Sequence, residues 1–156
     1  AKENGYQPDI VLAGRNLNDG MSAWIIEQII SEAEKKRIKI SESKVLILGL
    51  TFKENCPDIR NSKIFDLINI LNKKNQIPYT YDPFIFDESK LKNINLKFLK
   101  EFPIYQNNKY DIIIVTNAHN EFINIDSSKW KKILKENHII FDLKGIIPRS
   151  LNPMRL

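Results

Sequence analysis

Apolar side chains recur along this chain in two rhythms, and the change from one to the other falls near residue 44. Over residues 17–38, Leu17, Met21, Trp24, Ile25, Ile29, Ile30 and Ala33 fall at three- and four-residue steps, which places them on one face of a long helix. Glu27, Glu32, Glu34, Lys35 and Lys36 occupy the other face. Asn16, Asn18 or Asp19 can cap the start, and the helix gives out in the basic run KKRIK, where cations favour a C-terminus. Such a face needs a partner surface, and the helix precedes the rest of the fold. The pattern predicts a packing or dimer helix.

From Val45 the chain changes to short apolar runs separated by helical ones. VLIL (45–48) reads as a buried strand, and Ile64 to Asn75 as an amphipathic helix through Ile64, Leu67, Ile68 and Leu71. IPYTY (77–81) is a second strand closed by the Asp82-Pro83 turn. Residues 84–109 are rich in Lys and Asn, with a short helix near Asp87 to Lys92 and a candidate strand at NLKFL (95–99). DIIIVTN (111–117) is a clear buried strand, Asp126 can cap a helix from Ser127 to Lys135, and HIIFD (138–142) is the last strand. Strands that are continuously apolar and separated by helices predict a parallel sheet covered on both faces. The expected class is therefore α/β, a Rossmann-like parallel sheet with helices on both faces, preceded by the long helix.

Composition narrows the partners. At 156 residues the chain holds one full core and an appended element, and 42% apolar with 28% charged residues describes an ordinary globular protein. No apolar run is long enough to cross a bilayer and no secretory segment opens the sequence, so no membrane is expected. The lead-in AKENGYQPD looks like the middle of a longer chain. A single cysteine, Cys56, rules out an internal disulfide and leaves too few thiolates for a metal site, which fits a cytoplasmic protein without metal. Residues 1–44 hold seven basic and seven acidic side chains, so the whole net charge of +5 sits in residues 45–156. That excess suits a phosphorylated ligand. Aromatic and basic residues do not interleave as they do in single-strand binders, so nucleic acid is not expected.

In a doubly wound sheet, ligands sit beyond the carboxyl ends of the strands, which directs attention to the loops after Leu48, Tyr81 and Phe141. The first has a single glycine, Gly49, and so does not form the G-x-G-x-x-G turn that lets a backbone approach a pyrophosphate. It is instead a long loop in which Lys53 and Arg60 are the obvious anion contacts and Phe52 offers a face for a base or sugar. The competing reading is a solvated charged loop with Phe52 tucked into the core. Asp82 stands where nicotinamide-binding folds hold an adenosine ribose, but its distance from Gly49 and the following proline favour a turn role. Lys144, just past the final strand, reads on its own as surface, and His119 in TNAHNEF has no partner set by spacing. Cys56 sits near Lys53 and Arg60, yet it precedes Pro57 with no identifiable base, and an inert thiol is the better reading.

AGRNLNDGM (13–21), LGLTFKENCPDIRNSK (48–63), TYDP (80–83), TNAHNEF (116–122) and FDLKG (141–145), in this order and spacing, resemble the C-terminal part of the UDP-glucose/GDP-mannose dehydrogenases. FKENCPDIRNSK is most similar to the branch that oxidises UDP-N-acetylhexosamines for capsule, Vi-type or O-antigen polysaccharides. The resemblance implies that residues 1–43 are the end of a central helical dimerisation region and 44–156 a C-terminal UDP-sugar-binding Rossmann-like domain. It implies an NAD-dependent 6-dehydrogenase that turns a C6 alcohol into a uronate with two NAD, through a cysteine-bound thiohemiacetal and thioester. By position, Phe52 and Lys53 match the pair that contacts the UDP-sugar, Lys144 matches a basic substrate contact that is often arginine, and Arg60 matches the arginine reaching toward the NAD diphosphate. The family's nucleophilic cysteine lies just upstream of GYQPDIVLAGR and Cys56 does not match it. No catalytic residue is expected in this chain, which alone should be inactive. The expected partners are a UDP-N-acetylhexosamine and a second copy, a homodimer formed through the N-terminal helix. The alternative is a non-catalytic nucleotide-binding or scaffolding module of the same fold.

Overall fold

The computed structural model describes residues 9–105 and 109–156. Its centre is a five-stranded, all-parallel sheet of β1 (Val45–Leu48), β2 (Tyr79–Tyr81), β3 (Lys97–Phe98), β4 (Tyr110–Val115) and β5 (Leu134–Asp142), in the order β3-β2-β1-β4-β5. Among the described residues, the α-helices that accompany it are α1 (Asp9–Lys35), α2 (Ile64–Lys73), α3 (Asn120–Ile123) and α4 (Ser127–Ile133).

The apolar strands bury both faces, as their composition requires. Val45 and Ile47 point with Ile112, Ile114, Ile139 and Phe141 into a core layer closed by Ile25, Ile26, Ile29 and Ala33 of α1 and by Leu67, Ile68 and Leu71 of α2. Leu46 and Leu48 point the other way with Ile113, Val115 and Ile140, against Phe122 of α3 and Trp130 and Ile133 of α4. Truncating one of these side chains to Ala costs about 2–5 kcal/mol.

The long helix begins earlier than the spacing predicts. It runs through Gly14 and Gly20, and Asp19 does not cap its start but pairs with Lys63, 2.7 Å away, next to α2. Ser22 also donates to the Lys63 carbonyl, so α1 is tied to the entry of α2. Ile25, Ile29 and Ala33 are buried as expected and Ile26 joins them, while Trp24 stays 42% exposed with its edge on Phe141. Leu17, Asn16 and residues 1–8 lie outside the described side chains. The helix ends where Arg37 adopts φ 56°: Ile38 N–H donates to Ala33 and Arg37 N–H to Glu34, the paired bonds that satisfy the last carbonyls.

The remaining differences are at boundaries. A short 3-10 turn at Glu88–Leu91, capped by the Asp87 carboxylate on Ser89 N–H, stands for the short helix near 87–92. Helix α4, capped by Asp126 on Lys129 N–H, stops at Ile133 because the chain passes straight into β5 at Leu134. The strand begins four residues before His138, with an irregular register that buries Leu134 beside Tyr110 and leaves the polar 135–137 outward.

Candidate functional site

The connections from β1 and β4 leave toward opposite halves of the sheet, so the carboxyl ends of these neighbouring strands open a crevice where such folds bind ligands. The loops 49–63 and 116–119 meet there. Gly49 makes the sharp exit from β1: it has φ +99°, and a Cβ on it would sit 2.7 Å from Asn117 Cβ and 2.8 Å from Thr116 Oγ1. Only glycine fits that conformation and that space. Thr116 Oγ1 donates to the Leu48 carbonyl at 2.8 Å, and Asn117 Nδ2 donates to the Thr51 carbonyl at 2.7 Å. The two polar residues that follow an apolar strand thus hold the neighbouring loop.

Asp82, at the end of β2, is 2% exposed and organises the same loop. Its Oδ2 accepts the N–H groups of Leu50 at 2.6 Å and Thr51 at 2.9 Å, and its Oδ1 accepts Phe84 N–H at 2.8 Å. Burial pushes its pKa up, but hydrogen bonds from His119 and the amides of Leu50, Phe84 and Thr51 outweigh burial and hold it below the usual carboxylate range. The turn role read from the sequence is therefore half of its task, the bond to Phe84; the other half is the β1 loop.

His119 is fully buried, with Nε2 3.2 Å from Asp82 Oδ2 and Nδ1 receiving Asn55 N–H at 2.9 Å. Asn55 has φ 54°, and its amide group exchanges two hydrogen bonds with Asn120. Residues 51–55 therefore form an arch gripped at both ends, at Thr51 by Asp82 and Asn117 and at Asn55 by His119 and Asn120.

The residues at the top of the arch face solvent. Phe52 is 60% exposed, so it is not tucked into the core, and Lys53 is exposed with no ion pair to any described residue. Two further cations lie at its flanks. Lys144 Nζ is 2.7 Å from Glu54 Oε1, which lowers the Glu54 pKa and joins the loop after β5 to the arch. Arg60 forms a two-pronged pair with Asp58, at 2.9 Å and 2.8 Å, which holds Asp58 at about 2. Lys144 is aimed by Asp142, a buried carboxylate that accepts the amides of Lys144 and Ile147. Cys56 is a free, half-buried thiol with no base described against it.

Chemically, this edge can hold an anion and offer it an aromatic face. It does not form a dinucleotide site of its own: the space above Gly49 is closed by Thr116 and Asn117, and Asp82, 2% exposed, already accepts from four donors within the domain. No cluster of metal-binding side chains occurs among the described residues. Phe52, Lys53, Arg60 and, through the resemblance, Lys144 are the residues the sequence put forward, and the structure leaves all four exposed, with Arg60 paired to Asp58 and Lys144 to Glu54. The sequence did not show that Asp82, His119, Asn55 and Asn117 act together, although four polar residues at strand exits are the signal that could have pointed to it.

The family model for the UDP-glucose/GDP-mannose dehydrogenase family, UDP binding domain, matches residues 46–149. The chain is 37% identical over 158 residues to a UDP-N-acetyl-D-glucosamine 6-dehydrogenase of Pseudomonas aeruginosa, an overlap of 100% of this chain and 36% of that protein. A UDP-N-acetyl-D-glucosamine 6-dehydrogenase of Salmonella typhi is 39% identical over 152 residues, 97% of this chain and 35% of the relative. The chain thus spans about a third of the length of these curated relatives. Among solved structures, the UDP-N-acetyl-mannosamine dehydrogenase Cap5O of Staphylococcus aureus superposes with a TM-score of 0.68 at 25% identity, over 91% of this chain and 31% of that one. The NDP-N-acetyl-D-galactosaminuronic acid dehydrogenase of Methanosarcina mazei shares the fold, with a TM-score of 0.79 at 20% identity over 96% of this chain and 31% of that one.

Proposed function

Because this chain belongs to the UDP-glucose/GDP-mannose dehydrogenase family as its C-terminal, UDP-binding domain, we propose that it holds the UDP half of a UDP-N-acetylhexosamine for an NAD-dependent 6-dehydrogenase. The whole enzyme oxidises the C6 alcohol of that sugar to a uronate for polysaccharide or capsule synthesis. The observation that carries the reading is the gripped arch, which presents Phe52 and Lys53 to solvent at the strand exit where this fold takes its ligand.

Each side chain has a physical task in this reading. Lys53 supplies a charge to the diphosphate, Phe52 a face to the nucleoside or sugar, and Lys144 a second charge once the phosphate displaces Glu54. Arg60 projects from the domain, its side chain 84% exposed, and reaches toward the diphosphate of NAD carried elsewhere in the enzyme. Residues 1–43 close the central helical region and residues 44–156 form the UDP-sugar domain, with α1 also available for pairing two copies. A cytoplasmic location agrees with the single unpaired cysteine. No helix among the described residues is long and apolar enough to cross a membrane.

The test is a thermal-shift titration with UDP, UDP-N-acetylglucosamine, NAD and ATP, on this chain and on Lys53→Ala. A ligand at a hundred times its dissociation constant adds about 2.7 kcal/mol. In a chain of this size that moves the midpoint by roughly 5–10 °C. Uridine compounds alone should raise it, and Lys53→Ala should remove the effect. A chain that responds to none of the four, or equally to all, would instead be the non-catalytic module.

A further inference from the structure

The arch that carries Phe52 and Lys53 is held by a histidine that touches neither. Resting on the UDP-site reading above, we propose that His119 is a positioning residue for Lys53, acting through the single hydrogen bond from Asn55 N–H to its Nδ1.

The tautomer follows from the donors around the ring. Asn55 N–H points at Nδ1 from 2.9 Å, so that nitrogen carries a lone pair and the ring proton sits on Nε2. The acceptors available to that proton are Asp82 Oδ2 at 3.2 Å and Thr51 Oγ1 at 3.3 Å. Thr51 Oγ1 is free to accept because its own proton goes to the Lys53 carbonyl at 3.2 Å. A half-turn of the ring would put carbons where Nδ1 and Nε2 stand and lose both bonds. Phe84 lies along one side of it at 5.1 Å between centroids, and Phe122 meets it edge-on at 5.3 Å.

Three strand exits therefore converge on one imidazole: Thr51 and Asn55 after β1, Asp82 at the end of β2, and His119 itself after β4. The arch has its two ends fixed by separate atoms of this ring system. Thr51 is held through Asp82 on the Nε2 side, and Asn55 on the Nδ1 side. Lys53 lies midway between them: its side chain has no ion pair among the described residues, its carbonyl accepts the Thr51 hydroxyl at 3.2 Å, and the adjacent Phe52 N–H donates to the Asp58 carbonyl at 2.7 Å. Those two bonds hold the Thr51 side of the arch, whereas the Asn55 side is held by His119 on its backbone N–H and by Asn120 on its side chain, so losing the His119 bond loosens the backbone after Lys53. A cation pre-set for a diphosphate binds more tightly than one that must be ordered on binding. At the Asn55 end, His119 takes the backbone N–H of a residue at φ 54°, and no other described group accepts that N–H.

Two isosteric substitutions separate the nitrogens. His119→Asn places an amide oxygen where Nδ1 accepts, keeping the Asn55 bond and losing the one to Asp82. His119→Gln places an amide nitrogen where Nε2 donates, keeping Asp82 and losing Asn55. UDP affinity is measured by chemical-shift titration, which reads dissociation constants into the millimolar range, in both variants, in Lys53→Ala and in Lys53→Ala combined with His119→Gln. Unfolding midpoints are taken alongside. His119→Gln should bind UDP about tenfold more weakly, the equivalent of one lost hydrogen bond, while His119→Asn stays within about twofold. On the Lys53→Ala background the His119→Gln loss should vanish. Equal losses in the two variants, losses that follow the unfolding midpoint, a His119→Gln effect that persists without Lys53, or variants that do not fold would each overturn the proposal. If the unaltered chain binds no UDP, the reading of the site falls and this inference with it. If the unaltered chain binds and His119→Gln binds equally, only the inference falls.

Discussion

Replacing Asp82 by Asn tests the claim that one carboxylate builds the β1 exit loop. The substitution keeps the shape and removes the charge. The amide will turn its oxygen toward the side with three donors, Leu50 N–H, Thr51 N–H and the His119 Nε2–H, and its NH2 toward Phe84 N–H. The Phe84 amide is then left facing a donor, a loss of about 1–3 kcal/mol. The other three bonds lose their charge assistance, about 0.5–1 kcal/mol each if a charged bond is twice a neutral one. The total is about 2.5–6 kcal/mol, a large part of the roughly 5–15 kcal/mol available to a domain. Chemical denaturation of both proteins at pH 7 measures it, with equal m-values as the check on two-state behaviour. The sign of the acid dependence follows from the same carboxylate. Its folded pKa lies below the ordinary 3.8, so in the window below about pH 4 the unfolded chain takes up protons first. The stability it contributes is thus present above that window and is lost as pH falls through the folded value. Asp82→Asn should therefore flatten the acid slope. A loss under about 1 kcal/mol at pH 7, or an unchanged acid slope, would refute the assignment.

Three other outcomes follow from the geometry. Gly49→Ala should cost about 3 kcal/mol or more by denaturation, since it combines a positive φ with a Cβ placed 2.7 Å from Asn117 Cβ; a neutral effect would mean that the β1 exit relaxes freely. Arg37→Gly should stabilise by about 0.5–1 kcal/mol, because residue 37 closes α1 at φ 56° and glycine adopts that conformation without penalty. Glu54→Gln should change stability by less than about 1 kcal/mol, as its pair with Lys144 is partly exposed, yet strengthen UDP binding several-fold at low salt by freeing the Lys144 ammonium. Isothermal titration at two salt concentrations reads the last of these, and an unchanged affinity would take Lys144 out of the site.

The sheet was legible in the chain because its strands are apolar without alternation. VLIL and DIIIV could be buried on both faces only in a parallel sheet between helices, and that is where they lie. The motifs around Phe52, Lys53, Arg60 and Lys144 were legible as a family pattern, and the family match over residues 46–149 agrees with it. Local preference alone misjudged the start of α1. Asn16, Asn18 and Asp19 read as candidate caps, but the structure carries the helix through them, with Asp19 paired to Lys63 far along the chain.

Only the tertiary structure decided how the site is held. Asp82, Asn55 and His119 are separated by tens of residues, and hydrogen-bond partners at that separation leave no periodic trace in a sequence. They meet because β1 lies between β2 and β4, so the exits of three strands converge, and burial there requires every polar atom to find a partner. Residue types and their order thus set which chemistry is present, a cation and an aromatic ring in a long loop. The strand order set where that chemistry points.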